Sequence, residues 1–135
     1  MHHAFPIALA LGLLTLAACD RPDRITAQDR MELNCLASKV VVELTDQVRT
    51  GLEAGQDAND LAPLQQKLTA EGLLSAKYLF PSKHMHQAYY EFDVARRAKA
   101  VQTALTSSDA SAPAHAVMVE TLRLGQSCII ARLPQ

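Results

Sequence analysis

The chain has 135 residues, with 13 Lys and Arg against 14 Asp and Glu, for a formal net charge of −1. That balance gives no support for nucleic-acid binding, which needs a basic footprint. Tryptophan is absent, aromatics are few, and Ala, Leu and charges of both signs run through the chain; this is the composition of a helical bundle rather than of a sheet protein or a disordered tail.

Phe5 to Ala18 is apolar and uncharged, with Thr15 its one hydroxyl-bearing residue. The run falls short of the roughly 20 residues that span a bilayer. Asp20 and Arg21 follow at once, so it reads as a signal-peptide core. It ends in Leu16-Ala17-Ala18-Cys19. This tetrad resembles the lipobox of bacterial lipoproteins, with small Ala17 and Ala18 suited to a protease pocket for short side chains. Met1-His2-His3 departs from the usual leader in carrying no Lys or Arg.

The resemblance implies that residues 1–18 are removed and that Cys19 becomes the acylated N-terminus, with the lipid bilayer as its first partner. Two or more acyl chains make a stable anchor where one does not. It implies a periplasmic domain on the bacterial cell membrane. Asp20 resembles the enteric signal for retention at the inner membrane, which favours the inner over the outer membrane. Without residues 1–18 the chain has 117 residues and the same charge of −1, enough for one domain with a core. Residues 19–25 then form a short lipidated tether, and 26–135 a helical domain.

The first helix is expected from about Thr26 to Ala54. Leu33, Leu36, Val40, Leu44, Val48 and Leu52 recur every three or four residues, and Gly55 is a C-terminal stop. Val40-Val41-Val42 is β-branched, but the surrounding helical period outweighs that preference. Asn59 or Asp60 can cap a second helix, with Pro63 in its first turn. Its apolar side is Leu61, Leu64, Leu68, Leu73 and Leu74, and Gly72 leaves its end open. Phe80-Pro81 is a break. Ser82 is the expected cap of a third helix, with Met85, Tyr89, Phe92, Val101 and Leu105 on one face. Thr106 to Pro113 reads as a loop. A fourth helix from about Ala114 to Leu133 would turn Met118, Leu122 and Ile129 inward.

Short connections between four amphipathic helices predict an all-α, up-down-up-down bundle. No internal repeat of fixed period argues for a helical solenoid. With Cys19 acylated, Cys35 and Cys128 remain, and an oxidising periplasm favours their pairing. Such a bond would close a loop of roughly 94 residues, for which the chain-entropy account gives about 4.5 kcal/mol. In an up-down bundle the start of the first helix and the end of the fourth share one end, so the pairing fits the topology. Neither cysteine sits in a CxxC or beside a histidine at ligand spacing, which argues against a metal or redox pair.

Beyond residue 18 every aromatic lies in one window: Tyr78, Phe80, Tyr89, Tyr90 and Phe92. Between Ala76 and Lys99 five basic residues meet two acidic ones, net +3, whereas Asp20 to Asp60 carries net −4. Tyr and Arg are favoured at binding hot spots, so an exposed Tyr78–Tyr90–Arg97 patch is one reading of this window. Tyr90 lies about 100° around the helix from Tyr89. The other reading makes Met85, Tyr89 and Phe92 core, with the charge complementing the first helix.

His84 and His86 point about 200° apart on a helix and cannot easily share an ion; both read as solvated surface histidines, and His115 is distant. No metal and no cofactor is expected. Glu91 and Asp93 are likewise about 200° apart, and Glu120 reads as an isolated charge. Ser107, Ser108, Ser111 and Ser127 lack a nucleophile elbow. No phosphate loop or zinc signature occurs.

The expectation is therefore a non-enzymatic accessory lipoprotein that contacts an envelope protein. In size, helical class and cysteine use it resembles secretion-system pilotins. An exclusion or inhibitor lipoprotein acting on a phage, a conjugating cell or a hydrolase stays open beside it.

Overall fold

The structure is a computed structural model, and it describes residues 24–55, 61–107 and 113–134. These form four helices: α1 (Ala27–Glu53), α2 (Leu61–Leu79), α3 (His84–Thr106) and α4 (Pro113–Ser127). No strand occurs among the described residues. The expected all-α class and the count of four are both found. The Leu16–Cys19 tetrad, the capping residues Asn59 and Asp60, and most of the Thr106–Pro113 loop lie outside the described residues.

Helix α1 starts where its sequence supplies a reciprocal cap. Thr26 Oγ1 accepts from the Asp29 backbone N–H at 3.0 Å, and the Asp29 carboxylate accepts from the Thr26 N–H at 3.3 Å. Two N–H groups that the first turn leaves without helical partners are thereby satisfied. The helix ends one residue before Ala54, and Gly55 turns the chain at φ 85°, a conformation glycine adopts without a Cβ penalty. Over 27 residues α1 is about 40 Å long.

Helix α1 packs against all three other helices, and α3 packs against α1, α2 and α4. The middle of the bundle is thus the α1–α3 pair, flanked by α2 and α4. Contacts fix the directions. His86 at the start of α3 reaches Asp29 at the start of α1, so these two run parallel. Cys128, just past α4, is bonded to Cys35 near the start of α1, so α4 runs antiparallel to α1. The expected disulfide is present, with an S–S distance of 1.98 Å and a Cα–Cα distance of 6.0 Å across a sequence separation of 93.

Two glycines let helices approach closely. A Cβ on Gly72 would lie 2.1 Å from Tyr90 Oη and 2.7 Å from Val40 Cγ2. Gly72 therefore sits inside α2, not at its end, and its missing side chain is the space the Tyr90 ring fills. A Cβ on Gly125 would lie 2.5 Å from Val42 Cγ2 and 2.8 Å from the Ser38 carbonyl oxygen, where α4 crosses α1.

Three local expectations are corrected. Ser82 does not cap α3; it turns the chain at φ 61°, a region uncommon for a residue other than glycine. The Phe80–Lys83 turn reverses direction within three residues, and Lys83 becomes the cap without a side-chain bond. Helix α4 ends at Ser127 instead of reaching Leu133. The chain then turns, Cys128 meets Cys35, Ile130 enters the core, and Ile129 points out at 80% exposure.

The third correction concerns α3. Its buried face is His86, Tyr90, Asp93, Val94, Arg97, Ala100 and Val101, about one residue around from the expected Met85–Tyr89–Phe92 face. Met85, Phe92 and Leu105 are exposed, as is Leu52 of α1. Tyr89 is half-buried and donates to Asn34 Oδ1 at 2.6 Å.

Candidate functional site

The α3 face that turns inward carries two polar constellations. The first lies on the α3–α4 seam. Asp93 and Arg97 are four apart, one turn along the helix, where opposite charges meet. Arg97 Nε donates to Asp93 Oδ2 at 2.8 Å, Nη1 to Thr121 Oγ1 at 3.0 Å, and Nη2 to Glu120 Oε1 at 3.1 Å. Arg96 donates to the other oxygen, Asp93 Oδ1, at 2.8 Å. Thr121 Oγ1 in turn donates to the Val117 carbonyl at 2.7 Å. Arg97 is 0% exposed and Asp93 1%.

Burial alone would lower the Arg97 pKa, but the Asp93 and Glu120 carboxylates outweigh it and hold the guanidinium above its ordinary value. The charge is thus locked in place and bonded on three sides. This is a closed ion-pair network that ties α3 to α4.

The second constellation closes the end where the described chain begins. His86 is fully buried, and its Nε2 lies 3.0 Å from Asp29 Oδ2. Its ring lies 4.6 Å from the Phe80 ring, centroid to centroid. The guanidinium carbon of Arg132 sits 5.2 Å over the other aromatic partner, Phe80. Arg132 also pairs with Glu32, so the C-terminal segment is clamped onto α1. Desolvation would raise the Asp29 pKa. Hydrogen bonds from His86 and Thr26 overcome it and leave the carboxyl below its ordinary value. His86 Nδ1 has no hydrogen-bond partner.

These positions correct the sequence reading. Tyr90 and Arg97 are each 0% exposed and cannot touch a partner; of the proposed patch only Tyr78, at 61%, faces out. Tyr90 instead donates to the Thr69 carbonyl at 3.0 Å, and burial pushes its hydroxyl pKa well above the ordinary value. His86 is not a surface histidine, and Glu120 is not isolated. The Asp93-x-x-x-Arg97 spacing was the one available signal for the seam. Nothing local to the sequence joins either residue to Glu120 and Thr121.

Among the described residues no group of three or more His, Cys, Asp or Glu could hold a metal. No helix among them is long and apolar enough to cross a membrane.

The outer surface offers a groove instead. It runs between α2 and α3, has a volume of about 490 Å³, and is floored by small and apolar residues including Ala62, Thr69, Ala70, Leu73, Val94 and Ala95. Glu91, Gln65 and Gln66 supply its polar atoms. Leu74 of α2 and Phe92 of α3, at 68% and 65% exposure, are large apolar side chains on the two helices that form it. Arg96 and Lys99 add exposed positive charge on α3. Compared with known proteins, the chain matches no family model, no curated protein and no solved structure.

Proposed function

We propose that the protein is a lipoprotein of the bacterial cell envelope. It is anchored by acylated Cys19 on the periplasmic side of the inner membrane and acts as a non-enzymatic adaptor. The α2–α3 groove receives a helical segment of an envelope partner. The observation that carries this reading is the groove itself: a floor of small side chains, with Leu73 and Val94 for apolar contact, accepts the ridge of another helix. A Cys35–Cys128 bond suits an oxidising compartment.

The test is in-cell crosslinking of the tagged protein followed by mass spectrometry, with wild type compared against Cys19→Ser. The adaptor reading expects a resident envelope protein captured by the lipidated form and lost from the serine variant. Capture that occurs only in the presence of a phage or a conjugating cell would replace it with the exclusion reading. No specific capture under either condition would overturn both.

A further inference from the structure

Four of the exposed apolar side chains, Met31, Tyr78, Met85 and Ile129, come from four different parts of the chain. They belong to the start of α1, the end of α2, the start of α3 and the segment after α4. The contacts His86–Asp29, Phe80–His86, Arg132–Glu32 and Cys35–Cys128 bring those four parts to one end of the bundle. Exposed Pro81 lies in the turn there. At the opposite end the large exposed apolar side chains among the described residues are Leu52 and Leu105.

Charge follows the same polarity. Arg30, Lys77 and Lys83 belong to the apolar end. The acids in the first turns of α1 are both engaged: Asp29 with His86 and Thr26, Glu32 with Arg132 and Gln28. Tyrosine with lysine around an apolar patch is the composition that settles at a membrane–water interface, where the ring sits at headgroup level and lysine stems reach outward.

We infer that this end is a lipid-contacting surface on which the bundle stands at the bilayer interface. The inference rests on the reading of Cys19 as the anchor, and it adds an orientation. Arg24, the first described residue, follows Cys19 by five residues, a reach of at most roughly 18 Å when fully extended. A bundle about 40 Å long held on so short a leash cannot stand on its far end. Met31, Tyr78, Met85 and Ile129 enter the interface, and anionic headgroups meet Arg30, Lys77 and Lys83. The groove lies farther along, since Ala62 is at the start of α2, and faces the periplasmic space.

The chain has no tryptophan, so a Met85→Trp variant carries a single reporter at the apolar end, and Leu105→Trp carries one near the other end of the same helix. Both full chains are purified from a bacterium that processes lipoproteins, and intact mass is read first. That mass tests acylation of Cys19 by itself. The proteins are then placed on phosphatidylcholine vesicles containing phosphatidylglycerol, with and without bromine on the acyl chains; a chain found unacylated is added to the same vesicles. Emission from the Met85→Trp protein should fall roughly twofold in brominated vesicles, as expected for a side chain seated about 5–10 Å into the interface. Leu105→Trp emission should hold. Equal quenching at the two positions, or none at Met85→Trp, overturns the inference. A missing acyl mass overturns the anchor and leaves the quenching result to be judged by itself.

Discussion

At the α3–α4 seam the Arg97 guanidinium meets Asp93, Thr121 and Glu120, with both main carboxylate oxygens of Asp93 used. At the end where α1 begins, His86 meets one carboxylate oxygen, and its other ring nitrogen meets nothing. Both side chains are fully buried on the same face of α3. Arg97 carries a permanent charge, so its burial demands opposite charge and complete geometry. His86 has one carboxylate partner, Asp29, and the face of the Phe80 ring. The seam is a lock of interdependent charges, whereas the end where α1 begins is held mainly by rings, a clamp from Arg132 and the disulfide.

That contrast orders the expected effects. Arg97→Ala should be the most damaging single change in the seam. It leaves buried Asp93 Oδ2 without its partner and only Arg96 on Oδ1, and loss of one partner from a buried pair costs about 3–5 kcal/mol. Urea unfolding of the oxidised protein measures it. Asp93→Ala with Arg97→Ala should recover part of that loss, because the half-paired buried carboxylate is gone. Gly72→Ala comes next. Its Cβ would overlap Tyr90 Oη at 2.1 Å, forcing the ring away and breaking the bond to Thr69; overpacking of this kind costs about 1–3 kcal/mol. A Gly72→Ala protein as stable as wild type would show that Tyr90 is not held as described.

His86→Phe should be mild, within about 1 kcal/mol, because an apolar ring keeps the contact with Phe80 and removes the unpartnered nitrogen. Asp29 keeps its Thr26 bonds in that variant. A His86→Phe loss equal to that of Arg97→Ala would break the comparison. Asp29 sharpens it through pH. Its folded pKa lies below the ordinary value of 3.8. Its ionised form therefore adds stability that is complete above that value and fades as pH falls through the lower, folded pKa. The stability gap between wild type and Asp29→Asn should accordingly narrow below about pH 4. A gap that widened on acidification would reverse the sign. Phe92→Ser should be the smallest, within about 0.5 kcal/mol for an exposed side chain.

The sequence made the helices legible where local chemistry decides them. The Thr26–Asp29 cap and Gly55 bracket α1, and the Phe80–Pro81 break separates α2 from α3. The Cys35–Cys128 bond was legible from cysteine arithmetic joined to topology. The facing of α3 was not. Hydropathy places Met85 and Phe92 inside, but the partners that make Asp93, Arg97 and His86 tolerable in the interior come from α4 and α1, far away in sequence. Gly72 looked like a terminus because its purpose, space for Tyr90, exists only once three helices are packed. The extent of α4 was obscured for a similar reason. Ile129 and Ile130 both suit a helix, yet the turn to Cys35 sends one outward and the other into the core. The α2–α3 groove is a gap between small side chains and leaves no motif.

The central claim is that the exposed side of the α2–α3 pair, and not the α4 flank, receives an envelope partner. The most direct measurement places a photo-crosslinking amino acid at Glu91, which lines the groove, in one strain and at Val119 of α4 in another, both exposed positions, and identifies what each captures in living cells. The account predicts one envelope protein crosslinked from position 91, absent from position 119, and lost when Cys19 is replaced by serine. Equal capture from both positions, or none from position 91, would contradict it.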